Sequence, residues 1–292
     1  MCSSRVKVHH PTYTMDLANK IFPISFTMKN KARITSILST PYLDSSITGL
    51  PSFNLSELDL ATDFAFPLPT DLRLGHLAEK IVSLLIKSST NYDVLYENIQ
   101  LVEHKKTIGE IDFILSNQNT KELIHLELAY KFYLYDPNIS SEEINNWIGP
   151  NRNDSLKEKL DKVKSKQFPL LYHDAAKSKL DSLEIGDISQ QLCLLASLFI
   201  PYQSETRFST AYQKAITGYY LSFEDFVSLD HSEKTYYLAR KEEWGIDPSE
   251  NEKWENFSQV QPQIRESIAE KKAPLCWQKH KDSYSAFFIV WW

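Results

Sequence analysis

Acidic side chains interrupt two short apolar runs of this chain, and the chemistry they suggest is metal-assisted. The first run is Gly109-Glu110-Ile111-Asp112-Phe113-Ile114-Leu115, and the second is Ile124-His125-Leu126-Glu127-Leu128-Ala129-Tyr130-Lys131. A carboxylate on a buried strand face is costly unless it is paired or holds a cation. Alternate residues of a strand share a face. Glu110 and Asp112 therefore point the same way, and Glu127, Ala129 and Lys131 share one face of the next strand. Two such neighbours bring Asp112 and Glu127 together, with Lys131 on the same edge. Hard oxygen ligands of this kind suit Mg²⁺ or Mn²⁺, which polarises a phosphate and activates a water. A nearby lysine offsets charge developing on the phosphate. Crowded carboxylates raise one another's pKa unless a cation is present, so such a site makes sense when metal-loaded. The competing reading is a solvent-facing acidic row paired with lysines.

The elements that must position these residues can be read locally. Leu74, Leu77, Ala78, Ile81, Leu84 and Leu85 fall at helical spacing behind Asp71 as N-cap, which predicts a helix over about 72–88. Three strands follow, at 94–102, 108–115 and 123–134, separated by short polar turns that suit an antiparallel meander. Asn117 and Asn119 favour a tight turn. A second helix opens near Asp154 or Ser155, with Leu156, Leu160 and Val163 as its stripe. Leu192 to Tyr202 reads as a fourth strand, with a buried helix as the other option. Helix, three strands, helix, strand describes an α/β sandwich around a mixed sheet. Three regions follow from this: an N-terminal helical and irregular extension over 1–70, a core over 71–205, and a C-terminal α+β extension over 206–292 packed on the core. The extensions hold a short helix at Lys29–Leu38, a proline-punctuated stretch at 41–70, strands at 236–240 and 286–291, and two terminal tryptophans that should dock on the body.

The chain has 292 residues and a formal net charge of -6, from 32 Lys+Arg and 38 Asp+Glu. A dedicated nucleic-acid coat would be basic, so contact with nucleic acid must come from a local patch. The candidate is 152–166, with Gln167 at its end. There Lys159, Lys162 and Lys166 fall on one helical face and Gln167 ends the helix. Such a face is either solvated, with internal ion pairs, or in contact with phosphates. Three widely spaced cysteines without a CxxC point to a reducing, cytoplasmic setting. No apolar run is long enough to span a bilayer, so no membrane partner is expected. Gly-rich phosphate loops, G-x-S-x-G and H-E-x-x-H are all missing.

The order of a helix with Glu79, then G-E-x-D, then E-x-x-x-K, then a basic helix resembles the PD-(D/E)XK nuclease superfamily. The wider pattern is similar to a bacterial family catalogued as domain of unknown function 1853. It is carried by Arg73-Leu74-Gly75-His76, Gly109 to Phe113, Glu127 to Leu134 and Trp147-Ile148-Gly149-Pro150-Asn151. The resemblance implies a restriction-endonuclease-like core and a Mg²⁺- or Mn²⁺-dependent nuclease acting on DNA or RNA. It implies Asp112, Glu127 and Glu79 as metal ligands, Lys131 as the catalytic lysine, and Lys159, Lys162, Lys166 and Gln167 as nucleic-acid contacts. One departure stands out: the superfamily places its lysine two residues after the glutamate, where this chain has Ala129. The alternative is a catalytically degenerate nuclease-fold module that binds nucleic acid or protein.

Overall fold

A computed structural model describes residues 24–60 and 66–292. Residues 1–23 and 61–65, which belong to the expected N-terminal extension, lie outside the described residues. Helix α1 spans Ile24–Ser39 and α2 spans Leu74–Ser88. Of the stripe expected for α2, Leu74, Leu77, Ala78, Ile81 and Leu85 are buried and Leu84 is half-buried, and Val82 and Ile86 join them in the core. Its N-cap is Arg73, with no side-chain cap, rather than Asp71.

Strands β1 (Tyr92–Glu103), β2 (Lys106–Asn117) and β3 (Leu123–Tyr135) form the expected antiparallel meander. His104 and Lys105 both take positive φ in the β1–β2 turn, the geometry that matches the twist of a two-residue hairpin. In the β2–β3 turn the Asn117 carboxamide accepts the backbone N–H groups of Asn119 and Thr120. The short β4 (Trp147–Ile148) pairs with the end of β3. Helix α3 (Leu156–Lys162) starts on a Ser155 cap that accepts the N–H of Glu158.

Strand β5 (Ile188–Pro201) then runs parallel to β3 in unbroken register from Leu123↔Ile188 to Leu134↔Phe199. The run at 192–202 is thus a strand, longer than its apolar part because β3 supplies partners for Ser189, Gln190 and Gln191. Beyond it lie α4 (Thr210–Ala215), β6 (Ile216–Ser222), α5 (Phe223–Ser228), β7 (Lys234–Ala239), α6 (Phe257–Ala269), β8 (Leu275–His280) and β9 (Ser283–Val290).

All nine strands belong to one mixed sheet, ordered β1-β2-β3-β5-β6-β9-β8-β7, with β4 on β3. Residues 206–292 therefore extend the same sheet. Along β3 the even positions Leu126 to Leu134 pack under α1 and α2. Ala129 and Tyr133 face the opposite layer, with Leu156, Leu160 and Val163. Helices thus cover both faces of the sheet, as a mostly buried mixed sheet requires. The C-terminus docks as expected: the Trp292 indole N–H donates to the Pro150 carbonyl at 3.1 Å and Arg152 stacks on its ring. Among the described residues no helix is long and apolar enough to cross a membrane.

Candidate active site

Strands β2 and β3 pair from Ser116↔Leu123 to Phe113↔Leu126 and then part. Asp112 sits at the first position past this pairing. Its Oδ2 accepts the backbone N–H of Leu128 at 2.8 Å, so a side-chain carboxylate stands in for the missing ladder carbonyl. Glu127 lies opposite and is fully buried. The fork between the two strands thus holds two carboxyl groups side by side.

Glu127 is held by neutral donors. The amide of Gln167 donates to its Oε2, and His125 Nε2 lies 2.9 Å from its Oε1. The histidine tautomer follows from its other neighbour. Gln190 Nε2 lies 2.7 Å from the Phe168 carbonyl and 3.1 Å from His125 Nδ1. A carbonyl only accepts, so the nitrogen of Gln190 must face both, and Nδ1 is the accepting ring nitrogen. Nε2 therefore carries the proton and donates it to Glu127. Burial pushes His125 down to about 4, which keeps the ring neutral at pH 7.

Burial, and then the charge of Glu127, push Asp112 up to about 8 against the opposing Leu128 N–H. Burial also raises Glu127, with Lys159 the largest opposing influence. Lys159 reaches in from α3. Burial lowers its ammonium pKa, and Glu127 and Asp112 raise it. Its Nζ donates to Gln167 Oε1 at 2.9 Å, so Lys159, Gln167 and Glu127 form one hydrogen-bonded chain. Gln167 gets there because α3 continues as a π turn over Val163–Gln167. The wider turn breaks the α register and faces Gln167 toward the strands.

Lys131 goes elsewhere. Its Nζ donates to Asp154 Oδ2 at 2.6 Å, in a loop closed by the Gly149 N–H on the Asp154 carbonyl at 2.7 Å. Gly149 leaves room there: a Cβ would stand 2.1 Å from Asp154 Oδ1, so the carboxylate would have to shift to admit one. Glu79 adds negative charge near both carboxyls, and its own Oε2 lies 3.1 Å from His76 Nδ1. Among the described residues no group of three or more His, Cys, Asp or Glu side chains is arranged to hold a metal ion. Asp112 and Glu127 thus stand as a pair.

The family model described as Domain of unknown function (DUF1853) matches residues 50–286. The chain belongs to the DUF1853 family. No match was found among curated proteins or among solved structures.

The matched DUF1853 region contains every residue of the fork and of α3. In this DUF1853 chain Asp112 and Glu127 converge as their strand positions predict. Lys159 and Gln167, expected on a phosphate-contacting face beside the site, bond to each other, and Gln167 bonds to Glu127. Lys162 and Lys166 remain exposed. Lys131 is engaged by Asp154 while its charge still acts on Lys159, and Glu79 remains at electrostatic range. Sequence reasoning missed His125 and Gln190. A histidine two residues before Glu127 on a strand shares its face, which was a usable signal. Gln190 becomes visible only once the His125↔Gln190 register of β3 and β5 is known.

Proposed function

We propose that this protein is a divalent-cation-dependent nuclease, hydrolysing phosphodiester bonds of DNA or RNA at the fork between β2 and β3. The observation that carries the reading is the pairing of Asp112 and Glu127, two crowded carboxyls both pushed above the usual carboxylate range. Such a pair is unfavourable when charged and fits a hard cation. Asp112 and Glu127 would hold Mg²⁺ or Mn²⁺, with water and substrate phosphate completing its ligands, a common arrangement for Mg²⁺. When bound, the ion supplies charge at the scissile phosphate and a more acidic water.

The chain's own residues do the rest. His125 and Gln167 fix the rotamer of Glu127, the Leu128 N–H fixes Asp112, and Glu79 deepens the negative potential. The exposed Lys162 and Lys166 offer contacts to the nucleic-acid backbone. The element order α2, β1, β2, β3, α3, β5, with β2 antiparallel to its neighbours, supports a restriction-endonuclease-like core. The free, buried Cys193 and Cys276 suit the cytoplasm.

The Lys131–Asp154 pair favours a second reading, in which the fold binds nucleic acid or protein without cleaving it. Calorimetry with Mn²⁺ on the parent and on an Asp112→Ala, Glu127→Ala double variant tests the metal site. Cleavage of labelled DNA and RNA separates the two readings. Binding lost in the double variant, together with cleavage by the parent, supports the nuclease. A folded parent that neither binds Mn²⁺ nor cleaves sinks it.

A further inference from the structure

We propose that the cation working beside Asp112 and Glu127 is Lys159, delivered by helix α3, and that Lys131 is a partner of Asp154 outside the chemistry. The inference rests on the nuclease reading above and names a catalytic residue for it.

The geometry is one-sided. Lys131 lies four residues beyond Glu127 on the same strand, a rise of roughly 13 Å, and its ammonium is engaged by Asp154 at 2.6 Å. Both members of that pair keep about a third or more of their side-chain surface, at 35% and 41%, so the pair sits at the rim. Lys159 comes from the opposite layer. Its Nζ is 2.9 Å from Gln167 Oε1, and the amide nitrogen of the same Gln167 is on Glu127. One carboxamide thus bridges the lysine and the buried carboxylate, oxygen toward the ammonium and nitrogen toward the acid, the only orientation that satisfies both. Of the other lysines of the helix, Lys157 takes Asp161, and Lys162 acts on Glu127 more weakly than Lys159 does.

The same arrangement accounts for Ala129. A lysine at that position of β3 would enter the face that Lys159 already fills from α3. The site therefore has an ammonium beside its two carboxyls, supplied from α3, where the strand itself has Ala129. In hydrolysis the water oxygen bonds to phosphorus, one ester P–O bond breaks with its electron pair on the leaving oxygen, and that oxygen takes up a proton while the water loses one to solvent. Lys159 transfers no proton in this scheme. It places positive charge on a non-bridging phosphate oxygen as negative charge grows there.

The test compares Lys159→Met, Lys131→Met and Lys157→Met in the full chain, each first shown to unfold cooperatively. Probes are a labelled single-stranded DNA, its RNA counterpart, and Mn²⁺ alone. Lys159→Met should slow cleavage by about 100-fold or more. Lys131→Met should cost less than about tenfold, and Lys157→Met nothing. Lys159→Arg should restore part of the rate. Mn²⁺ affinity should rise several-fold in Lys159→Met alone, because an ammonium no longer competes for the two carboxyls. A larger loss in Lys131→Met than in Lys159→Met, or unchanged Mn²⁺ affinity in Lys159→Met, overturns the assignment while leaving the nuclease reading intact. A parent chain that neither cleaves nor binds Mn²⁺ overturns both.

Discussion

Replacing Asp112 by Asn should make the metal-free protein more stable, and the gain should depend on pH in a specific way. Asparagine keeps an oxygen for the Leu128 N–H, which Asp112 now binds at 2.8 Å, and removes the carboxyl proton from the balance. In the folded chain Asp112 is pushed from 3.8 up to about 8. A carboxyl raised on folding favours the folded state only while protonated. The parent therefore loses stability as pH rises through the unfolded value, and goes on losing it until the folded value is passed. Over the roughly three pH units from 3.8 to 7 the loss is at most about 4 kcal/mol, at ~1.4 kcal/mol per unit. Asp112 keeps some solvent contact, so about 2–4 kcal/mol is the expected gain of Asp112→Asn at pH 7. The assay is urea unfolding of both proteins in chelator at pH 7.5, 6 and 4.5. His125, held low by burial, titrates in the opposite sense, with its stability lost as pH falls from 6.5 toward 4. The Asp112 charge that raises His125 is lost in the variant, so the imidazole lies lower still there and adds to the same trend at low pH. The variant's advantage should shrink steadily toward pH 4.5. Mn²⁺ should raise the parent's midpoint but not the variant's. An advantage that is absent at pH 7.5, or independent of pH, would refute the argument that Asp112 is strained by burial beside Glu127.

Three further outcomes follow from single contacts. His125→Ala strips a donor from the buried Glu127 and leaves a void. It should cost about 2–4 kcal/mol in urea unfolding and weaken Mn²⁺ about 10- to 100-fold by calorimetry; unaltered Mn²⁺ affinity would remove His125 from the site. Tyr133→Phe deletes a buried hydroxyl with no partner, so its unfolding free energy should stay within about 1 kcal/mol of the parent or exceed it. A loss above about 2 kcal/mol would reveal a partner of that hydroxyl. Trp292→Ala removes the indole bond to Pro150 and the stacking under Arg152 and should cost about 1–2 kcal/mol. An unchanged midpoint would mean that the terminus does not hold the 147–154 loop.

What could be read in advance was whatever depends on neighbours along the chain. The α2 stripe, the meander and the Asn117 turn are local patterns, and the structure keeps them. Helix α6 was equally local: Asn256 and Gln259 form a capping box, and Val260 and Ile264 are buried at helical spacing. Pro262 inside the helix hides the signal, since proline argues against helix by rule. Strands β6 and β8 were not local. The partners of β6 (β5 and β9) and the β7 partner of β8 come from distant segments, only β8 and β9 forming a local hairpin, and polar residues such as Thr217, Gln278 and Lys279 break the alternation that would mark them.

The site divides along the same line. Asp112 and Glu127 converge because two alternations and one hairpin suffice to put them on one face, and all three can be read from sequence. The lysine cannot be placed that way. Whether Lys131 or Lys159 serves the carboxyls depends on where α3 crosses the sheet and on a π turn that no periodicity announces. A strand-borne lysine is fixed to the acids by the pleat, whereas a helix-borne one is fixed by packing. Leu156, Leu160 and Val163, buried against Tyr133 and Ala129, are what hold Lys159 over the fork. The helix also sends a carboxylate the other way, since Asp154 just before its Ser155 cap takes Lys131. Asp154 thus engages Lys131 of β3, while α3 brings Lys159 to Asp112 and Glu127, with Lys162 also acting on Glu127. A motif written as residue spacing along one strand cannot register an ammonium that arrives from a helix packed against that strand.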